Sequence, residues 1–287
     1  MTRLRGVALV VFVGAVALGT VRDPAPVLSG SAGLMLEADL HVHPFPGDGS
    51  LPVWELQREA GRRGLDVIAV TGHNSRAGLA IGRLVPLDPA GPIVLPGQEV
   101  TAPGFHLIAV GITRLIDWRL SARAAIADAH AQGGVAIAAH PLGSWGGDDL
   151  EALRSLDGIE VAHPIARGPR SVGVRLGEFF NRVRAVNPDV APIGSTDFHM
   201  TAPLGLCRTY LLVGERSAAG ALDAIRRGRT VARDSNGRLF GAPEHVAAVE
   251  RSLAFASPRA VVPGDERLIA LVALLALGAL SLGGPPR

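Results

Sequence analysis

The chain has 287 residues, enough for one α/β barrel or two small domains. Hydrophobic residues make up 48% of it and the mean hydropathy is +0.30, so a sizeable core is available and a disordered or fibrous protein is excluded. The net charge is +2, yet residues 23–267 carry −2; the basic excess lies in the tails, there is no lysine, and no nucleic-acid partner is expected.

At the amino terminus Arg3 and Arg5 precede an uncharged run over 6–21, which fits either a signal peptide, with small residues for cleavage after Gly19, or an uncleaved anchor. At the other end 268–282 is almost entirely apolar, with Ser281 as its only hydroxyl and no polar face. The expected division is therefore 1–22 signal peptide or signal anchor, 23–36 linker, 37–262 folded body, and 268–284 candidate transmembrane helix. With the arginines of the amino-terminal flank inside, the body is expected on the extracytoplasmic side of a membrane.

Apolar runs at 37–43, 66–71, 93–100, 106–111, 135–140, 158–162, 190–195 and 209–213 read as strands. Amphipathic segments at 52–63, 116–132, 148–156, 172–185 and 217–227 read as helices. Their alternation predicts a parallel α/β sheet, and the length of the body suits a closed barrel. The single Cys207 excludes an internal disulfide and a multi-cysteine zinc site.

Six of the nine histidines, with several carboxylates, fall at the ends of these strands, where a barrel gathers its active site. In Asp39-Leu-His41-Val-His43 the histidines are two apart and share one strand face, so both can reach one metal ion. Ser195-Thr-Asp197-Phe-His199 repeats that spacing with a carboxylate and an imidazole. His73 and His140 follow other strands, and Glu99 and His106 flank the Pro103-Gly104 turn. One such pair is weak evidence; their conjunction points to a metal site.

The series DLHVHPFPGDGS, GLDVIAVTGHN, GQEVT, FHLIAVG, AAHP, GIEVAH and STDFH resembles the polymerase and histidinol phosphatase (PHP) superfamily of metal-dependent phosphoesterases, over about residues 37–233, and within it most closely the carbaryl-hydrolase-like branch. The resemblance implies a distorted seven-stranded β/α barrel with a centre of two or three divalent ions at the carboxyl ends of the strands. It implies one metal on His41, His43, Glu99 and Asp197, a second on Glu99, His106 and His140, and a third on Asp48, His73 and His199. Mixed imidazole and carboxylate ligands suit Zn, Mn or Fe. Where the family commonly has Thr-Asp-His, this chain has Thr71-Gly72-His73, which predicts a weak third site.

Asp39, Glu160 and His163 are candidates for contacts around the ligands or to substrate; Arg76, Arg167 and Arg208 lie near strand ends, where any one could clamp a phosphate, against the simpler reading of a solvated surface charge for each. Asp66, His130 and His245 read as structural. With no G-x-S-x-G elbow or P-loop in the chain, the expected nucleophile is water on adjacent dications and no side chain is assigned that role. The reading is thus a membrane-associated metal-dependent hydrolase acting on a small molecule, most simply an anionic phosphate ester. Hydrolysis of a carbamate, amide or carboxylic ester, and a metal-binding membrane protein without turnover, are the alternatives.

Overall fold

A computed structural model describes residues 2–20, 34–143, 145–167, 170–200, 202–255 and 265–281. Of the expected linker, 23–33 lie outside the described residues and 34–36 already belong to a strand. In chain order the elements are α1 (Thr2–Thr20), β1 (Leu34–Val42), α2 (Val53–Arg62), β2 (Val67–Val70), α3 (Ala77–Gly82), β3 (Ile93–Ala102), β4 (Phe105–Val110), α4 (Ala122–Ala131), β5 (Val135–Ala138), α5 (Leu150–Arg154), β6 (Gly158–Ala162), α6 (Arg170–Arg184), β7 (Ala191–Gly194), β8 (Arg208–Val213), α7 (Ala218–Arg226), β9 (Thr230–Arg233), β10 (Leu239–Gly241), α8 (Pro243–Phe255) and α9 (Asp265–Ser281).

The strands form one sheet in the order β10-β9-β8-β1-β2-β3-β4-β5-β6-β7. The pairs β1–β2, β2–β3, β5–β6 and β6–β7 are parallel, as the alternation predicts. The hairpin of β3 with β4, the β4–β5 pair, and the run β1–β8–β9–β10 are antiparallel. The sheet nearly closes on itself. Gly194 N–H donates to Thr209 Oγ1 at 2.9 Å, the Thr209 hydroxyl donates back to the Gly194 carbonyl at 2.8 Å, and the Thr230 hydroxyl reaches the Pro192 carbonyl at 2.9 Å. Only glycine fits at 194, where a Cβ would stand 2.4 Å from the Arg208 carbonyl oxygen.

The eight strands read from the sequence, and the seven that the resemblance implies, become ten among the described residues. The three-residue β10 and the four-residue Thr-Val-Ala-Arg of β9 are too short and mixed to show an apolar period, and exist because they extend the edge of β8. The helix expected at 116–132 begins only at Ala122, because the Ser121 side chain accepts the Ala124 N–H and caps it there.

Side-chain alternation divides the core in two. Leu36, Ala38, Leu40, Val67, Ala69, Leu95, Ile108, Val110, Ile137 and Ile193 fill the barrel interior, closed at one end by Ala221, Ala224 and Ile225 of α7. The outward residues of the same strands pack beneath the helices: Val42, Ile68 and Val70 against α2, and Leu107, Ala109, Ala136 and Ala138 against α4.

The described terminal helices form a unit of their own, in which α1 packs on α9 with Ala8, Ala15 and Ala276 buried. Among the described residues no helix is long and apolar enough to cross a membrane. Arg3 and Arg5 occupy the first turn of α1, and Asp265, Glu266 and Arg267 that of α9. The uncharged remainders, 6–20 and 268–281, span about 22 and 21 Å at ~1.5 Å per residue, short of a hydrocarbon core of about 30 Å. This overturns the expected transmembrane helix at 268–284, whose last three residues lie outside the described ones. The membrane association and the extracytoplasmic placement that rested on it fall with it.

Candidate metal centre

The site begins with a break in strand alternation. Leu36, Ala38 and Leu40 of β1 face the interior, so an unbroken strand would point His41 outward and Val42 inward. Instead the register of β1 against β2 shifts between Asp39 and Val42, and Val42 joins the outer core. A bulge of this kind exchanges the faces of the residues after it, and it turns both His41 and His43 into the barrel mouth. Other expected ligands are re-aimed by backbone conformation. His140 and Asp197 have φ of 28° and 50°, the left-handed region that non-glycine residues rarely occupy.

Four donor atoms meet there. His41 Nε2 lies 3.0 Å from His43 Nε2, 3.3 Å from Glu99 Oε2 and 3.2 Å from Asp197 Oδ1; His43 Nε2 lies 3.3 Å and 3.0 Å from the same two oxygens. Ligands of a tetrahedral ion stand about 3.3 Å apart at a metal–ligand distance of about 2.0 Å. Glu99 Oε2 and Asp197 Oδ1 are also buried without a hydrogen bond among the described residues. Unsatisfied buried carboxylate oxygens, set at the edges of a coordination polyhedron beside two imidazole lone pairs, fit a divalent cation.

The opposite oxygen, Glu99 Oε1, serves a second group: His106 Nδ1 stands 2.7 Å and His140 Nε2 3.3 Å from it. Around Asp48 a third group gathers, with His73 Nε2 at 3.3 Å and His199 Nε2 at 3.1 Å from Oδ2, and His43 Nδ1 at 3.1 Å from Oδ1. All nine residues expected as ligands thus fall into three adjoining clusters, each with its donor atoms within 4.8 Å of one another.

The clusters are oriented from outside. Glu160, fully buried, accepts from His41 Nδ1 at 3.0 Å, from the His140 backbone N–H and from the Ser195 hydroxyl. That bond places the His41 proton on Nδ1 and leaves the Nε2 lone pair facing the centre. Likewise His199 Nδ1 donates to the Asp197 carbonyl at 2.9 Å, freeing Nε2 toward Asp48. His73 Nδ1 meets Thr101 Oγ1, and Trp145 Nε1 donates to the His106 carbonyl at 2.9 Å.

Electrostatics follow from this crowding. Burial opposes ionisation of Glu99, but His41 and the imidazoles of His106 and His140 outweigh it and hold the carboxyl far below its usual range. For Asp197 burial is likewise overcome, by His163, His43 and His41, and for Glu160 by His41 and His163, to about 2. Burial works against protonation of His41, yet Glu160 and Glu99 raise it well above an ordinary histidine; His43 and His140 are raised in the same way.

Other expected contacts lie apart from the clusters. Asp39 is fully buried and accepts from Thr196 N–H at 3.0 Å, Gly205 N–H at 2.9 Å and the Thr196 hydroxyl, so it ties the 196–205 loop to β1. Burial raises its pKa against those bonds. Arg208 pairs with Glu37 and bonds the Gly205 carbonyl, while Arg76 bonds the Thr113 carbonyl. Sequence reasoning gave no role to Ser195, Thr101 or Trp145. Ser195 carries a signal, since it sits two residues before Asp197 on the same face; Thr101 and Trp145 carry none.

No family model matches the chain. It is 31% identical to the uncharacterized protein MJ1587 of Methanocaldococcus jannaschii over 143 residues, 44% of this chain and 81% of that protein. Its structure is similar to a two-domain protein from Bacteroides vulgatus containing a predicted PHP-like metal-dependent phosphoesterase, with a TM-score of 0.61 and 21% identity over 80% of this chain and 74% of that one. It is also similar to PsfC from Pseudomonas syringae, with a TM-score of 0.52 and 19% identity over 77% and 97% of the two chains. The fold is therefore a mixed α/β, PHP-like one.

Proposed function

The chain belongs to the family of the uncharacterized Methanocaldococcus jannaschii protein MJ1587, and from that premise we propose that it is a metal-dependent hydrolase cleaving phosphate esters of small molecules with water. The observation that carries the reading is the first cluster: four donors at tetrahedral spacing, two of them buried carboxylate oxygens without a hydrogen bond among the described residues, with a further imidazole, His73 Nδ1, 2.8 Å from Glu99 Oε2. The PHP-like fold and the motifs over 37–233 agree with it. In this reading the catalytic body runs from β1 to α8, residues 34–255, and the finer placement in the carbaryl-hydrolase-like branch rests on the motifs alone.

In this reading His41, His43, Glu99 and Asp197 hold one ion, Glu99, His106 and His140 a second, and Asp48, His73 and His199 a weaker third, all Zn, Mn or Fe. Bound there, the cations supply Lewis acidity that activates water near neutral pH and balances charge on the phosphoryl oxygens. The chain's own residues keep that arrangement fixed. Glu99 joins the first two clusters through its two oxygens, 2.7 Å from His106 on one side and 3.3 Å from His41 on the other. Glu160 and Asp48 hold the Nδ1 protons of His41 and His43, so both Nε2 atoms stay available as ligands.

The test is the purified full-length chain loaded with Mn or Zn, its metal content measured, and assayed against phosphomonoesters, phosphodiesters, carboxylic esters and carbamates. Turnover of phosphate esters alone supports the proposal. Turnover confined to carboxyl or carbamate esters replaces it with the alternative hydrolase, and bound metal without any turnover with a binding protein.

A further inference from the structure

The barrel mouth holds one imidazole that the three clusters leave over. His163 follows β6 and is only 6% exposed. Its ring packs edge-on to His140 at 5.3 Å between centroids and lies 6.5 Å from that of His41. It is the first residue of the third His-Pro pair at a strand end, after His43-Pro44 and His140-Pro141, whose histidines both enter the clusters.

The local backbone fixes its tautomer. Pro164 has no N–H, and the next one, from Ile165, turns back to donate to His163 Nδ1 at 3.1 Å. A ring that accepts at Nδ1 carries its proton on Nε2, so His163 offers one N–H and no second lone pair. That N–H is buried and has no acceptor among the described residues. The nearest carboxylate oxygen, Asp197 Oδ2, stands 3.6 Å away, beyond hydrogen-bond range. Asp197 turns its other oxygen, Oδ1, to His41 and His43. The His163 donor therefore lies beside the ligand it does not bind, near His140 and on the side of Asp197 away from the first cluster.

A buried donor left without an acceptor costs stability, and proteins keep such groups where a ligand completes them. We propose that His163 Nε2–H donates a hydrogen bond to a phosphoryl oxygen of the bound substrate, making His163 a catalytic residue that is not a metal ligand. The inference rests on the phosphoesterase reading. Its chemistry is that of an oxyanion donor: no proton leaves His163, and the bond strengthens as charge builds on the oxygen in the transition state.

The experiment compares the full-length chain with His163→Leu, His163→Phe and His163→Gln, at equal Mn loading, by metal content, by the affinity for inorganic phosphate, and by kcat and KM for p-nitrophenyl phosphate. Leucine and phenylalanine remove the donor, and either serves if the other does not fold; glutamine returns an N–H. Expected are unchanged metal content, phosphate binding weaker by about tenfold or more, and kcat lower by roughly 10²-fold, the scale of losing one oxyanion donor, with glutamine recovering part of both. Three outcomes overturn the inference: phosphate affinity and kcat equal to the parent's, loss of metal from the donor-less variants, which makes His163 a support for Asp197 alone, or glutamine no better than leucine. If the fully loaded parent neither binds phosphate nor hydrolyses the ester, the phosphoesterase reading fails and this inference with it; if the parent does both and the variants match it, only this inference fails.

Discussion

The Nε2 atoms of His41 and His43 face each other at 3.0 Å at the mouth of the barrel, each held there by a carboxylate on its far nitrogen, Glu160 for His41 and Asp48 for His43. Two lone pairs so directed repel unless a proton or a cation lies between them. Of these two carboxylates Asp48 also belongs to the third cluster, whereas Glu160 lies outside those three and aims His41, and candidate ligands and aiming residues should differ in the size of their effects.

His41→Ala or Asp197→Ala removes a donor from the first cluster and should abolish activity with the fold retained. Glu99→Gln should be at least as damaging, because Glu99 serves two clusters. Glu160→Gln leaves every donor in place and should cost only about 10- to 100-fold in metal affinity, as for an outer partner. Metal analysis alongside circular dichroism checks the order; a fully active His41→Ala chain contradicts it.

Gly72→Asp addresses the third cluster. Gly72 stands where the motif resemblance leads to an expected carboxylate, and a Cβ there meets Pro44 Cδ and the Ser75 carbonyl at 3.4 Å, ordinary contact. The substitution is therefore tolerated and should raise the metal content of the chain, which is expected to be nearer two than three in the parent. Three tightly held ions in the unmodified protein would show that the missing carboxylate does not matter.

Much of this candidate centre is legible in the sequence because the clustered histidines and carboxylates sit at strand ends with two-residue spacing, as at His41 and His43. The reason that spacing works was not legible: the bulge between Asp39 and Val42 depends on the pairing of β1 with β2, a long-range property. His140 and Asp197 are correctly placed by their strands, yet their left-handed φ values come from the loops that follow. Arg208 illustrates the reverse case. An arginine near a strand end suggests a phosphate clamp, but its guanidinium is taken by Glu37, twenty-nine residues before the Asp66 that bonds Arg216 in the same way. The carboxy-terminal run misleads because its apolar composition says nothing of its helical length: 268–281 of α9 span only about 21 Å at ~1.5 Å per residue.

Barrel closure gives a stability test away from the chemistry. Gly194→Ala puts a methyl group 2.4 Å from the Arg208 carbonyl oxygen and must push β7 from β8, breaking the bonds that Thr209 makes to both backbone groups of Gly194. The expected loss is about 1–3 kcal/mol, the usual scale of overpacking, read from urea unfolding. A variant as stable as the parent would mean that the seam is looser than these contacts indicate.

His130 tests a structural histidine. At the end of α4 its Nε2 lies 2.7 Å from Asp157 Oδ2, and that hydrogen bond raises its pKa against partial burial. A histidine whose folded pKa is raised contributes stability that is complete below its unfolded value of about 6.5 and is lost as pH climbs through the folded value. His130→Ala should therefore destabilise the chain more at pH 6 than at pH 9, by no more than about 1 kcal/mol for so exposed a pair. Equal losses at both pH values would assign the effect to packing.

Metal loading itself should be proton-coupled. In the metal-free chain burial disfavours charge on His41, but Glu160 and Glu99 reverse the balance and raise its pKa well above the ordinary value; His43 and His140 are raised as well. These rings bind protons more readily than an ordinary histidine, and a cation must displace any proton from the nitrogens it takes. Binding is therefore expected to release protons at pH 7, and apparent affinity for Mn or Zn to rise with pH until the raised values are passed. The same coupling sets the effect of removing metal: a chelator should lower the melting temperature at pH 7.5 by more than at pH 5.5, where the protonated cluster binds metal poorly. Calorimetric titration in two buffers of different ionisation enthalpy counts the protons directly. Identical heats in both buffers would show that the imidazoles are already neutral, contrary to the pull of the carboxylates around them.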